Sequence, residues 1–212
     1  MPYDRTKIAN LTIGHCGIGI SIGDVDNESS AEAIAVRRYF DHCRDTLLEL
    51  IPWPFATRRH TLVPLTMAPE YENEWNFMYE VPNFCRRVNK IVNPMRRQPV
   101  TQEDHIPFKV VDYYPDGVDQ TSSGKVILCD EEGAVMEFNY AVEDVGLFSA
   151  SFAHALSLFI ATMASVSLRV NAKIVAAISM QWDRWYQENA IQAQEAGQPD
   201  PNPISSFESE RG

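Results

Sequence analysis

Cysteine is scarce in this sequence, and its four residues, Cys16, Cys43, Cys85 and Cys129, lie far apart. No Cys-x-x-Cys pair occurs, so the close ligand spacing typical of zinc clusters and of redox dithiols is missing. We therefore expect no metal, no cofactor and four reduced thiols in a cytoplasmic product. The N-terminus also lacks the apolar core that a secretory signal requires.

Basic residues are fewer than acidic ones: the sequence has 18 Lys and Arg and 29 Asp and Glu, which gives a formal net charge of −11. An acidic surface repels phosphate, and this argues against a dedicated nucleic-acid-binding protein. Such a surface would instead suit a protein that DNA passes without adhering to it. With 45% hydrophobic and 22% charged residues over 212 positions, the composition is that of a globular protein of one large domain or of a domain with an insertion.

Proline is absent from two long segments, residues 3–51 and 116–198, whereas nine of the 13 prolines lie between Pro52 and Pro115. Because proline is excluded from helix interiors, long helices belong at the two ends of the chain and strands or loops in the middle. The sequence therefore predicts an α+β fold, with an α-helical bundle formed by the N- and C-terminal helices and an inserted central β-rich region. The predicted boundaries are residues 1–51 and 145–197 for the bundle, 52–144 for the insertion, and 198–212 for an extended tail.

Two helices are predicted in the first bundle segment. The first begins at Asp4 or Arg5 and ends near Gly14. The second begins at Ser29-Ser30-Ala31-Glu32, which fits a capping box, and stops before Pro52. Helical spacing assigns its buried face to Ala35, Tyr39, Cys43, Thr46, Leu47 and Leu50.

Residues 147–168 contain no Asp, Glu, Lys or Arg, and this uncharged stretch is long enough to span a membrane. Several Ser and Thr residues interrupt this stretch, and its large apolar residues recur every fourth position, so a buried helix of a water-soluble protein is favoured. Helices are predicted over residues 145–168 and 171–196. The second carries a stripe of Ile174, Ile178, Trp182, Trp185 and Asn189. The predicted bundle core contains Leu47, Phe152, Leu156, Phe159, Ile178 and Trp182.

The middle of the chain predicts strands over residues 61–65, 76–81, 108–113, 126–129 and 135–140. The last two are predicted to form a hairpin around Asp130-Glu131-Glu132-Gly133, where the glycine can adopt a positive φ. Within the second strand, Trp75, Phe77 and Tyr79 alternate, as on one face of a sheet.

Two loop segments resemble ligand sites only in part. The glycines from Gly17 to Gly23 lack the preceding strand and the spacing that a dinucleotide loop needs, so an inter-helix loop is favoured. The acidic run that starts at Asp24 has Ser29 and Ala35 where a calcium loop needs Gly and Glu. Its negative charge is better explained by its place ahead of a helix N-terminus.

No catalytic constellation is recognisable. His15-Cys16 and His42-Cys43 are adjacent pairs, and neighbouring side chains on a helix point about 100° apart, which prevents easy proton sharing. Neither a G-x-S-x-G elbow nor an H-E-x-x-H helix occurs. We expect a non-enzyme. The alternative, a small α+β ligand-binding or enzymatic domain, would require a pocket with convergent polar residues.

One basic cluster stands out in the acidic sequence: Arg86, Arg87, Lys90, Arg96 and Arg97. It could contact DNA, but charge complementarity favours contact with the acidic surface of a neighbouring subunit.

The most specific motif is Trp53-Pro54-Phe55-Ala56, directly after the second helix. Its two prolines are stiff, and Trp53 and Phe55 are predicted to fold back over the end of that helix. With the opening helix and the Tyr79-Glu80-Val81-Pro82 element, this motif resembles the head-to-tail adaptor family, also called tail tubular protein A, of podovirus-type bacteriophages. The resemblance runs from about Ile8 to Ala193.

The resemblance implies a structural virion protein of the phage neck, assembled in the host cytoplasm. It implies a homo-oligomeric, dodecameric ring between the portal protein and the tail nozzle protein, which DNA traverses at ejection without sequence-specific binding. Catalytic residues are not implied. The extended tail is predicted to dock on the portal through Ile204 and Phe207, held extended by Pro201 and Pro203.

Overall fold

A computed structural model describes residues 2–95, 106–113 and 124–195, with side chains as far as residue 189. Over these residues the chain is mixed helix and sheet, which confirms the α+β class. Four α-helices are present in the described part of the chain: α1 Arg5–His15, α2 Ala31–Leu50, α3 Ala150–Ala164 and α4 Ala172–Glu195.

Side-chain caps fix where three helices start. Asp4 accepts a hydrogen bond from the backbone N–H of Lys7, and Ser30 and Ser149 cap α2 and α3 in the same way. The predicted capping box is therefore wrong by one residue, since Ser30 rather than Ser29 caps α2. The single helix predicted over residues 145–168 is also wrong. A 3-10 helix, Val145–Leu147, comes first, and the Ser149 cap begins α3 only at Ala150.

A left-handed residue ends the turns that follow α3. Arg169 has φ 52°, and the N–H groups of Arg169 and Val170 donate to the carbonyls of Val166 and Ser165. This is the Schellman pattern, in which glycine usually holds the left-handed position. A residue with a Cβ is disfavoured there by about 1–2 kcal/mol. Arg169 therefore stores backbone strain at the turn between α3 and α4.

Seven strands form two antiparallel sheets in the part of the chain described. The strands are β1 Thr57–Thr61, β2 Pro64–Leu65, β3 Phe77–Glu80, β4 Cys85–Val92, β5 Phe108–Tyr113, β6 Gly124–Cys129 and β7 Val135–Tyr140. One sheet has the order β1-β7-β4, and the other has the order β2-β3-β6-β5. The sequence did not predict β4, nor β1 beyond Thr61, and the strand expected at residues 61–65 is divided, since Thr61 ends β1 and Pro64–Leu65 forms β2.

The hairpin predicted between β6 and β7 is wrong, because these strands belong to different sheets. Both edges of β6 are occupied, one by β3 and the other by β5. The last four residues of β6 are all buried, as befits a central strand. Gly133 does adopt a positive φ, 64°, in the turn that joins β6 to β7.

The chain divides into two compact units. Within the described residues, the first comprises residues 2–60, 82–89 and 137–191, and the second comprises residues 61–81, 90–95, 106–113, 124–136 and 192–195. Each unit is thus assembled from separate segments of the chain, and three of the changeover points fall within β1, β4 and β7.

In the first unit, α3 packs against both α1 and α2. Of the predicted core residues, Leu47, Phe152, Leu156 and Ile178 are buried. Phe159 and Trp182 are only half-buried, and their rings stack on each other at 4.4 Å. The buried face of α2 is rotated from the predicted one: Tyr39, Thr46 and Leu50 are half-buried, and the buried side chains are Ala33, Ala35, Val36, Phe40, Cys43, Leu47 and Leu48.

In the second unit, the core is built around Ala68, Met78, Val126 and Leu128. Phe77 and Tyr79 stack on one face of β3, as predicted. Trp75 lies before that strand instead and packs against the core residues around Met78. The Tyr79 hydroxyl donates to the carbonyl of Glu131 at 2.7 Å, which ties β3 to the turn after β6.

No helix within residues 2–95, 106–113 and 124–195 combines the length and the apolar character needed to cross a bilayer.

Candidate functional site

Side chains from outside the helix form several hydrogen bonds with the C-terminal end of α2. A helix leaves its last carbonyl groups without intrahelical partners, and the prolines after α2 make this deficit worse. The N–H groups that would have reached the carbonyls of Leu48 and Leu50 belong to Pro52 and Pro54, which have none. Donors from elsewhere in the chain must therefore satisfy these carbonyls.

Asn139 of β7 supplies the donor for Leu48 and also one for the neighbouring carbonyl of Ile51. Its side chain is fully buried, and its Nδ2 donates to the carbonyls of Leu48 at 2.7 Å and Ile51 at 2.6 Å. Its Oδ1 accepts from the backbone N–H of Trp53 at 3.3 Å and from Asn89 Nδ2 at 3.1 Å. One amide thus fixes both the end of α2 and the start of the Trp53-Pro54-Phe55-Ala56 motif.

The motif itself folds back, as the sequence predicted. Trp53 Nε1 donates to the carbonyl of Leu47 at 2.8 Å, which satisfies another carbonyl of the last turn. The Trp53 and Phe55 rings both meet Phe152 of α3 edge-on, with centroids 4.9 Å and 5.0 Å away. On its other side, Trp53 stacks on Trp185 of α4 with ring centroids 6.1 Å apart. The motif therefore joins α2, α3 and α4.

The basic cluster meets the same helix end. Arg87 of β4 donates to the carbonyls of Glu49 and Leu50 at 3.0 Å and 2.7 Å, and burial lowers its pKa. Arg86 forms an ion pair with Asp45 at 3.3 Å. Both guanidinium groups thus have partners on α2 of their own chain.

The remaining predicted contact residues are placed as follows. Lys90 lies on β4, whereas Arg96 and Arg97 fall outside the described residues. Contact of this cluster with a neighbouring subunit stays a prediction. The tail residues Pro201, Pro203, Ile204 and Phe207 also lie outside the part of the chain that the structure describes.

A serine and a histidine meet between α1 and α3. His15 Nε2 lies 3.2 Å from Ser157 Oγ, and the hydroxyl of Ser157 donates to the carbonyl of His154 at 2.8 Å. Ser157 is fully buried and its only proton is already donated, so its oxygen accepts from His15 and is not available as a nucleophile. This pair is therefore a structural contact rather than a catalytic one.

The same contact makes the stability of the first unit depend on pH. Burial lowers the pKa of His15 below its ordinary value, and the nearby His154 ring lowers it further. Below the ordinary histidine pKa of about 6.5, the unfolded chain binds a proton that the folded chain resists, so stability falls as the pH falls. We expect the urea midpoint to decrease between pH 7.5 and 5.5, and His15→Gln to reduce this decrease.

His42, which is exposed on α2, provides the matched control. His42→Gln should retain the pH dependence of the wild type. Parallel pH profiles for the wild type and His15→Gln would show that His15 does not cause the acid sensitivity.

Neither ligand-like loop has the geometry of a ligand site. Gly17, with φ 70°, ends α1, and the side chain of Asn10 binds both the N–H and the carbonyl of Ile22 at 2.9 Å. In the acidic loop, the carbonyls of Val25, Asp26 and Glu28 converge on the guanidinium of Arg37 at 2.7–3.0 Å. A cationic side chain of the protein therefore occupies the centre of this loop.

Three of the four cysteines, Cys16, Cys43 and Cys129, are buried. Burial raises the pKa of Cys43 to about 12, so its thiol stays protonated at neutral pH and is a poor nucleophile. Over the described ranges, no three His, Cys, Asp or Glu side chains are grouped as a metal site would require.

The sequence matches no protein-family model, and it matches no curated protein.

Asn139 was not recognised as important from the sequence. The available signal was its position in a strand, where asparagine is disfavoured unless its amide has partners.

Proposed function

We propose that this chain is a structural virion protein, a head-to-tail adaptor whose ring connects the portal to the tail nozzle of a short-tailed phage. The observation that carries the proposal is the Trp53-Pro54-Phe55-Ala56 motif. The residues that support the resemblance are also those that join α2, α3 and α4. A motif with this position suits a protein whose task is to hold a fixed shape within an assembly.

The proposed architecture is a bundle of the N- and C-terminal helices with a β-rich insertion. It is supported by the packing of α3 on α1 and α2. It is also supported by α4, where Trp182 stacks on Phe159 and Trp185 stacks on Trp53. The first unit brings together the N-terminal segment up to residue 60 and residues 137–191, as a bundle interrupted by an insertion would.

The proposed oligomer is supported by the surface of α4. Of its described side chains, Ile178 is the one that is buried, and Met180 is 73% exposed. Since α4 has a single buried side chain as far as residue 189, most of this described surface is available to other subunits. The net charge of −11 agrees with a channel that DNA passes without binding tightly.

We expect the purified chain to assemble into a ring, dodecameric by the family resemblance, either alone or on addition of portal protein. Light scattering after size exclusion should give a mass many times the 24.0 kDa of one chain. Negative-stain images should show a central opening. Retention on duplex DNA should be weak at about 0.15 M salt, because the acidic surface repels phosphate.

Buffer without portal protein and an unrelated ring protein of similar size serve as controls for the mixing experiment. A mass of 24.0 kDa at every concentration, unchanged by portal protein, would contradict the proposed function.

A further inference from the structure

The turn between α3 and α4 carries an exposed, positively charged surface. Val166 is 83% exposed, and Arg169 and Lys173 are exposed beside it. We call these three residues the basic end of the first unit. Among the described residues, neither Arg169 nor Lys173 forms an ion pair, although the chain as a whole has a net charge of −11.

Among the described residues other than glycine, Arg169 is the one with a positive φ. A glycine at this position would relieve the backbone strain. Arg169 therefore combines a strained backbone with a charged, exposed side chain that has no ion-pair partner among the described residues, and this is a reason to look for a partner in another copy. A chain with a net charge of −11 is itself a source of complementary surface.

Negatively charged and apolar side chains are exposed just before the other end of α3, its N-terminus. Glu143 and Asp144 are exposed, and Leu147 is 52% exposed beside them. We call these three residues the acidic end. The carboxylate of Asp144 accepts a hydrogen bond from the N–H of the nearby Gly146 at 2.9 Å. Glu143 forms no ion pair within the described part of the chain.

The two ends cannot neutralise each other within one copy. The 15 residues of α3 separate them, which corresponds to about 22 Å at 1.5 Å per residue. An ion pair requires contact within about 4 Å. A second copy, however, can place its acidic end against the basic end of the first.

We propose that the basic end of one copy binds the acidic end of the next copy, with Arg169 against Glu143 and Val166 against Leu147. This proposal rests on the proposed ring, and it names the surfaces that adjacent subunits use. Because two different surfaces of the chain are joined, the contact is head-to-tail, the type that closes into a ring when the rotation per subunit is suitable. Charge complementarity fixes the register, and the apolar pair excludes water from the contact.

Charge reversal tests the pairing. Arg169→Glu and Glu143→Arg should each weaken association by at least about tenfold, because each places like charges against each other. The double variant Arg169→Glu/Glu143→Arg restores opposite charges and should return association to within about threefold of the wild type. Sedimentation velocity at several protein concentrations measures the assembled fraction.

Arg38→Glu, a reversal at an exposed position on α2, is the matched control and should assemble as the wild type does. A thermal melt of each variant shows whether it is folded. Arg169→Gly adds a second readout, since it should raise the melting temperature by removing strain while it weakens association.

The outcomes separate the two proposals. If the wild type assembles and both single reversals assemble equally well, the contact is wrong and the adaptor function stands. Weakened single variants without recovery in the double variant would also overturn the pairing of Arg169 with Glu143. If Arg169→Glu assembles normally but loses retention on DNA, the basic end binds nucleic acid and the proposal is overturned. A wild type that never assembles would overturn both the contact and the proposed function.

Discussion

Asn139→Ala is expected to lower the free energy of unfolding by about 3–5 kcal/mol, because it removes the partners of several buried backbone groups. The carbonyls of Leu48 and Ile51 lose their donor, and the N–H of Trp53 loses its acceptor. Each unsatisfied buried group costs about 1–3 kcal/mol, and partial entry of water keeps the total below the sum. Since Pro52 has no N–H, the carbonyl of Leu48 cannot return to an ordinary helical bond.

Urea denaturation at pH 7 measures this loss, provided that the dependence on urea concentration stays unchanged. Asn189→Ala is the matched control, because among the described residues the Asn189 side chain makes one hydrogen bond, to the carbonyl of Trp185 on its own helix. That variant should remain within about 0.5 kcal/mol of the wild type, as is usual at positions without such a network. An Asn139→Ala protein as stable as Asn189→Ala would mean that Asn139 does not hold the end of α2.

Phe152→Ala is the second change with a large expected effect, a loss of about 3–5 kcal/mol. Phe152 is fully buried, and its ring contacts Trp53, Phe55 and Phe148 at centroid distances between 4.6 Å and 5.0 Å. Truncation to alanine removes these contacts and leaves a cavity between α3 and the Trp53-Pro54-Phe55-Ala56 motif. The near-ultraviolet signal of Trp53 should change together with the urea midpoint.

Phe159→Ala provides the comparison on the same helix. The sequence predicted a buried Phe159, but the ring is half-buried and stacks on the half-buried Trp182. We therefore expect this substitution to cost about 1–2 kcal/mol, less than a fully buried phenylalanine. If Phe159→Ala destabilised the protein more than Phe152→Ala, the core of the first unit would not be centred on Phe152.

Caps and prolines in the sequence predicted the ends of three helices well. They could not predict which strands pair when those strands are distant in the sequence. The ends of α1, α2 and α4 lie within one or two residues of prediction, since caps and prolines act on their own neighbourhood. The hairpin of β6 with β7 was wrong, because a turn sequence cannot show that β3 and β5 take both edges of β6. Strand pairing is decided by packing, which no short window of sequence contains.

In the candidate site, too, the sequence identified the residues that are consecutive and missed those that lie on distant strands. The motif Trp53-Pro54-Phe55-Ala56 was identified because its residues are consecutive. Asn139 and Arg87, which complete the same structure, were missed because they lie on other strands. Arg87 was interpreted as part of a surface cluster, since a sequence shows its charge but not the helix carbonyls that it meets.

The end of α2 also has a consequence for the order in which the chain can fold during synthesis. Asn139 and its acceptor at Leu48 are 91 residues apart, so the last turn of α2 emerges from the ribosome long before its partner exists. At about 5–20 residues per second, the delay is roughly 5–20 seconds. During that interval most of the second unit is synthesised, and the last carbonyl groups of α2 lack the hydrogen bonds that Asn139 will donate. The first unit, although it contains the beginning of the chain, therefore cannot be completed until Asn139 has been made.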